Sequence, residues 1–204
     1  MGADVRKVRT LLARAFHDDP LMEWVFPDAA TRPDAVAAWL GLFVEHDQAV
    51  GEVEVLRGEG PGAPVQAVAV WRPSTGAPAT GTLPTIGGLL TLLIGPERTV
   101  EVAHGLRAIH ELAPTQPHTY LHFLAVDPEL QGRGLGRRVM ARGLRRSLDA
   151  GTGVHLETTN PRALTFYHRL GFQITGQRQV NAPGRPGPTM WAMWARPPRQ
   201  HRDG

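Results

Sequence analysis

The segment Val126-Asp127-Pro128-Glu129-Leu130-Gln131-Gly132-Arg133-Gly134-Leu135-Gly136-Arg137-Arg138 constrains this chain more than any other. It leaves an apolar run, turns through Asp-Pro and re-enters periodic sequence through three glycines, as a strand does when it hands over to a helix. Gly132, Gly134 and Gly136 let the main chain pass close to a ligand, and unpaired amides at a helix start favour an anion there. The helix dipole contributes only about 0.3–2 kcal/mol, so several amides must share the work with Arg133 and Arg137. A diphosphate fits that demand. A dinucleotide fingerprint would need glycine at position 137 and would open the fold instead of following residue 126. A nucleotide P-loop needs a lysine before Ser or Thr, and the chain's one lysine is Lys7.

Around this loop the periodicity predicts a strand over Tyr120–Val126, a helix over Gly134–Ala150, a strand over Val154–Thr158, a short helix over Pro161–Leu170 and strands over Phe172–Val180 and Thr189–Arg196. The strand–helix–strand order points to an α/β fold with a partly parallel sheet. In the first half, Val5–Phe16 reads as a helix that His17-Asp18-Asp19-Pro20 stops, and a second helix starts near Pro33. Leu21–Thr31 is read as a link carrying exposed aromatics, Trp24 and Phe26. Strands over Glu52–Arg57 and Val65–Arg72 precede a Gly/Pro-punctuated insertion from 73 to 117, with helices at Ile86–Ile94 and Glu97–Leu112.

The 204 residues, 42% apolar and 20% charged, suit one globular domain, read as 1–196 with a flexible tail at 197–204. Arginine and lysine outnumber acidic residues by 22 to 19, and a net charge of +3 gives no reason to expect a nucleic-acid partner. The high isoelectric point follows from a scarcity of groups that titrate near pH 9, since the chain has no Cys and two Tyr. The absence of cysteine also removes thiolate metal sites and any cysteine-bound acyl intermediate. Met1–Arg6 lacks the apolar core of a secretory signal, and Arg6 stands where a myristoylation motif needs Ser or Thr. No apolar run approaches the roughly 20 residues of a membrane helix, so the expectation is a cytoplasmic protein with no membrane partner.

Gln131-x-x-Gly134-x-Gly136 after Leu124-Ala125-Val126 resembles the acetyl-CoA signature of the GNAT superfamily of N-acetyltransferases. Asn160-Pro161-Arg162-Ala163, followed by Phe166-Tyr167 and Leu170-Gly171-Phe172, resembles the second block of that superfamily at the proper distance. The likeness is tight over about residues 118 to 180, and the helix-rich first half with Thr189-Met190-Trp191 is loosely similar to the puromycin N-acetyltransferase branch. It implies a mixed, mostly antiparallel sheet with a splayed parallel strand pair, flanked by helices, with a helical insertion before the cofactor strand. It implies acetyl-CoA as cosubstrate, no metal, and an amine acceptor. Leu124, Ala125 and Val126 would pair with the pantetheine arm, amides of Gly132, Arg133, Gly134, Leu135, Gly136 and Arg137 would hold the pyrophosphate, Gln131, Asn160 and Ala163 would flank the cofactor, and Tyr167 would stand near the sulfur as general acid. Family members usually place a strand before the first helix, and here that strand is expected to be missing.

An alkylamine with a pKa near 10.4 is neutral in about one molecule per thousand at pH 7, so a base is useful. His122 is one candidate, placed by the alternation Tyr120, His122, Leu124 on a defined face of its strand; it also resembles the second strand histidine of arylalkylamine N-acetyltransferases. The alternative is a histidine simply hydrogen-bonded beneath the helices. Glu157 is the other candidate; a mid-strand carboxylate is costly unless paired, and Arg162 is the expected partner. A tyrosine pKa of about 10 lies near that of a thiol, which suits Tyr167 to protonate a departing thiolate. His118 and His122 are about 13 Å apart on a strand, too far to share a metal. Trp191 and Trp194 are expected to pack or to shape a sheet edge, and Trp24, Phe26 and the insertion to line an acceptor pocket or to join the core. The functional expectation is direct acetyl transfer to a primary amine of a small molecule, of natural-product resistance type or otherwise, with a homodimer compatible. The alternatives are a protein amino-group acetyltransferase and a non-catalytic acyl-CoA-binding module.

Overall fold

The computed structural model describes residues 4–74 and 83–197. Met1–Ala3 and 198–204, on which the terminal expectations fall, and 75–82 of the insertion lie outside the described residues. Helices α1 (Val5–Ala15), α2 (Pro20–Val25) and α3 (Arg32–Val50) lead into strands β1 (Glu52–Arg57) and β2 (Val65–Pro73). The insertion supplies α4 (Ile86–Ile94) and α5 (Pro96–Leu112), and the chain continues through β3 (His118–Val126), α6 (Leu135–Asp149), β4 (Gly153–Thr158), α7 (Pro161–Arg169), β5 (Gln173–Gln179) and β6 (Thr189–Ala195). The six strands form one sheet in the order β1-β2-β3-β4-β6-β5. Every pair is antiparallel except β3 and β4, which run parallel. The expected architecture is borne out, and among the described residues no strand precedes α1.

Each face of the sheet has its own core. Val68 and Val70 of β2, Phe123 and Ala125 of β3 and Met190 of β6 pack under α1, α2, α3 and α5. Ala67, Ala69 and Trp71, with Leu121, Val154, Leu156 and Met193, pack under α6 and α7. Strand alternation explains this division for the residues just named except in β3, where Leu121 and Phe123 face opposite ways. A bulge is responsible. Val70 pairs with Phe123 but Trp71 pairs with Leu121, which leaves His122 as the extra residue. His122 and Phe123 therefore project to the same side, with their rings stacked 4.0 Å apart.

The segment read as a link contains a helix. Asp19 accepts hydrogen bonds from the amides of Leu21 and Met22, and Pro20 occupies the first helical turn, so residues expected to stop one helix also start the next. Trp24 and Phe26 are buried. Phe26 meets Trp39 edge-to-face at 5.6 Å, while Trp24 lies on Gly105 and Gly187, where a Cβ atom would strike the indole. They belong to the core, which is where large aromatic surface is best hidden from water. Helix α3 begins one residue before Pro33, and β6, carrying both Trp191 and Trp194, runs inside the sheet with β5 as the edge.

Candidate active site

Strands β3 and β4 pair only through His118–Gly153, Thr119–Val154 and Tyr120–His155. Beyond these positions they diverge, and a cleft of about 910 Å³ opens between them. Leu124, Ala125 and Val126 border this cleft on their side away from β2, where no strand covers their backbone groups. The glycine loop follows. Asp127 caps a single 3-10 turn over Pro128–Leu130, and Arg14 of α1 holds that turn through Asp127 at 2.7 Å and Glu129 at 2.9 Å.

Gly132 and Gly134 both have φ in the left-handed region, at 77° and 75°. A Cβ at either would meet nothing within 4 Å, so glycine is required by backbone conformation and not by crowding. Gly134 is the N-cap of α6 and provides no side-chain cap, which leaves the first amides of that helix free to face an anion. Gly136 has a different function: it is buried, and a Cβ there would lie 3.2 Å from Phe166 Cζ, so it sets the approach of α6 to α7. Gln131, Leu135 and Arg137 line the cleft, whereas Arg133 is exposed and outside its wall. These features fit the diphosphate of acetyl-CoA, the anion that the loop is expected to take.

On the opposite wall Asn160 caps α7, its Oδ1 accepting from the Arg162 amide at 3.0 Å, so its side-chain NH₂ remains able to donate. Ala163 lines the same wall. Tyr167 also borders the cleft and is buried, and burial together with the nearby Asp19 carboxylate pushes its hydroxyl pKa well above the ordinary tyrosine value. Asp19 is itself pushed up by burial, against the hydrogen bonds it accepts at the start of α2 and from Thr159. Tyr167 is thus a protonated donor across the working pH range. The gap to a free thiol is wider than the sequence implies, but the same burial and the same carboxylate act on any sulfur held beside it.

His122 and Glu157 occupy one polar layer on the sheet face under α3. The bulge turns His122 toward that face with Tyr120, while Leu124 is on the other, so the simple alternation Tyr120, His122, Leu124 does not hold. His122 Nδ1–H donates to Asp47 Oδ2 at 2.5 Å. Asp47, on α3, is 2% exposed and was not among the expected site residues. Its sequence signal is a carboxylate continuing the apolar stripe Leu40, Phe43, Val44 at helical spacing. This hydrogen bond fixes the tautomer and leaves Nε2 as the ring nitrogen without a protein partner.

Glu157 is paired with His155, not Arg162: His155 Nε2–H donates to Glu157 Oε1 at 2.6 Å, and the two side chains are 1% and 4% exposed. Residues two apart on a strand share a face, whereas Arg162 belongs to α7 on the other side. Tyr120 stands over this pair, its ring 5.8 Å from that of His155 and 4.9 Å from the Arg72 guanidinium. Burial, then the Glu157 charge, raises the Tyr120 pKa well above its ordinary value. His118 meets His155 edge-to-face at 5.3 Å, and no group of three or more metal-ligating side chains occurs among the described residues.

Comparison with known proteins agrees with this geometry. Residues 88–172 match the sequence profile of the acetyltransferase (GNAT) family. The N-alpha-acetyltransferase RimI of Mycobacterium tuberculosis is 44% identical over 80 residues, 37% of this chain and 48% of that protein. The peptidyl-lysine N-acetyltransferase YjaB of Salmonella typhimurium is 30% identical over 71 residues, 35% of this chain and 48% of that protein. The chain thus spans about half the length of these curated relatives. A Corynebacterium glutamicum structure described as histone acetyltransferase HPA2 and related acetyltransferase superposes over 98% of this chain and 95% of its own, with a TM-score of 0.66 and 24% identity. The splayed strands and the uncapped glycine loop both lie within residues 88–172, the part of the chain that matches the acetyltransferase (GNAT) family, and the fold as a whole is that of the Corynebacterium glutamicum structure.

Proposed function

We propose that the protein transfers an acetyl group from acetyl-CoA to a primary amine of a small molecule by direct attack within a ternary complex. The observation that carries this reading is the splay of β3 from β4 after Tyr120, which brings the free amides of α6, Tyr167 and His122 to one cleft. The backbone of Leu124–Val126 would hold the pantetheine arm, the amides from Gly132 to Arg137 would hold the diphosphate, and Asn160 would donate to the arm from the far wall. His122 Nε2 takes the proton of the attacking amine, with Asp47 holding the ring. The amine nitrogen bonds to the thioester carbonyl carbon, the carbon–sulfur bond breaks, and Tyr167 protonates the leaving thiolate. Glu157 is the weaker candidate base, because its carboxylate is engaged by His155 and its second oxygen is buried. With no cysteine in the chain, no cysteine-bound acyl intermediate forms.

Incubation with acetyl-CoA and a panel of amines, followed by free thiol release, tests the reading. Amine-dependent thiol release supports it; binding of acetyl-CoA with no release across the panel favours a non-catalytic acyl-CoA module. Tyr167→Phe is expected to lower kcat by about 10²–10⁴-fold while acetyl-CoA still binds. Unchanged turnover and pH profile would remove Tyr167 from the chemistry.

A further inference from the structure

The acceptor half of the cleft, away from the glycine loop, is walled by Met22 of α2, Trp39, Leu40 and Phe43 of α3, and Leu106 and Ile109 of α5. Helices α2 and α3 lie outside the residues matched by the family profile, so four of the six side chains belong to the unmatched part of the chain, while Leu106 and Ile109 of α5 lie within the match. All six side chains are apolar apart from the Trp39 indole N–H, which is buried without a partner. Their backbone groups are used within the helices. The polar groups on this side stand together on the sheet floor: His122 on Asp47, and Tyr120 beside Glu157. Asp19 is occupied in capping α2, and the Asp18 side chain, 88% exposed, is in water.

A ligand in this chamber therefore meets one polar end and an apolar surround. With the reacting amine at the polar end, where the second oxygen of Glu157 is buried without a partner, a second ammonium at the far end of the ligand would lie among these hydrocarbon side chains and away from that carboxylate, and peptide groups there would lose their water with the Trp39 indole N–H as the one donor among the six side chains. An alkyl or aryl body would instead gain from burial against the same walls. We infer that the acceptor is a monoamine with an apolar body, an alkylamine or arylalkylamine, and not a polyamine or a peptide amino terminus; this rests on the acetyl-transfer reading above.

The test compares three amines with the purified protein and acetyl-CoA: hexylamine, 1,6-diaminohexane, which adds one ammonium to the same chain, and alanyl-glycyl-glycinamide. Hexylamine is expected to exceed the other two in kcat/KM by roughly 100-fold. Leu106→Glu, or Ile109→Glu one helical turn away, is expected to narrow the gap between hexylamine and the diamine at least about 10-fold, with acetyl-CoA affinity unchanged as the check on folding. Equal or better turnover of the diamine or the peptide overturns the acceptor class while leaving acetyl transfer intact. So does an unchanged ratio in a variant that binds acetyl-CoA normally. Turnover of none of the three overturns the acetyl-transfer reading itself, and the inference with it.

Discussion

A buried carboxylate is costly unless another group uses it, and Asp47 is used by His122. It holds one imidazole tautomer and orientation, and under the proposed mechanism the effect would appear in turnover and not in cofactor binding. Asp47→Asn is expected to lower kcat at least about 10-fold with the acetyl-CoA Kd unchanged; equal losses in both would make Asp47 a packing residue only. His118 gives a separate, pH-dependent signature. Burial, first, and the neighbouring His155 and Arg72 charges lower its pKa, against a hydrogen bond to Gln116 and the Glu157 charge. Its folded form stays neutral while the unfolded chain takes up a proton, so its contribution is present above the ordinary histidine value of about 6.5 and lost as pH falls. Urea midpoints from pH 7.5 to 5 should fall less steeply for His118→Gln than for the unsubstituted chain, and identical slopes would contradict this.

At the scale of elements, the start of α6 depends on glycine for two distinct reasons. Gly134 needs its positive φ, so Gly134→Ala is expected to cost about 1–2 kcal/mol and to weaken acetyl-CoA binding by turning amides away from the anion. Gly136→Ala keeps an ordinary helical backbone but presses on Phe166, and should reduce stability through the α6–α7 contact. Circular dichroism melts and calorimetry on the two variants separate these effects; equal affinity for acetyl-CoA in Gly134→Ala and the parent would contradict the first. The second half of the chain was legible because its strands and helices are short, periodic and punctuated by Asp-Pro, Asn-Pro and glycine. The bulge at His122 was not, since it arises from pairing with β2, a non-local event that no local pattern encodes. Helix α2 was missed because Asp19-Pro20 is both a stop for one helix and a start for another. The His155–Glu157 pair was not legible because Arg162 is the first arginine or lysine after Glu157 in the chain, whereas strand geometry places the partner two residues back.

For the whole molecule, one sheet separates two tasks. The face under α6 and α7 is apolar through Leu156, Met193 and Trp71, and the opposite face carries a polar layer from Asp47 and His122 to His155 and His118, roofed by the first three helices and α5. The parting of β3 from β4 joins the two sides at a single opening. The residues of this opening were largely legible one by one, but its acceptor half was not, because α2, α3 and α5 meet there from distant parts of the chain. Cofactor binding in the proposed function rests on the amides of α6 gripping a diphosphate, and the most direct test is calorimetry of acetyl-CoA against S-acetylpantetheine, which keeps the arm and thioester but lacks the diphosphate. A diphosphate held by these amides entails saturable uptake of acetyl-CoA and binding of the truncated thioester weaker by about 100-fold or more. Equal affinity for the two, or no uptake of acetyl-CoA, would contradict it.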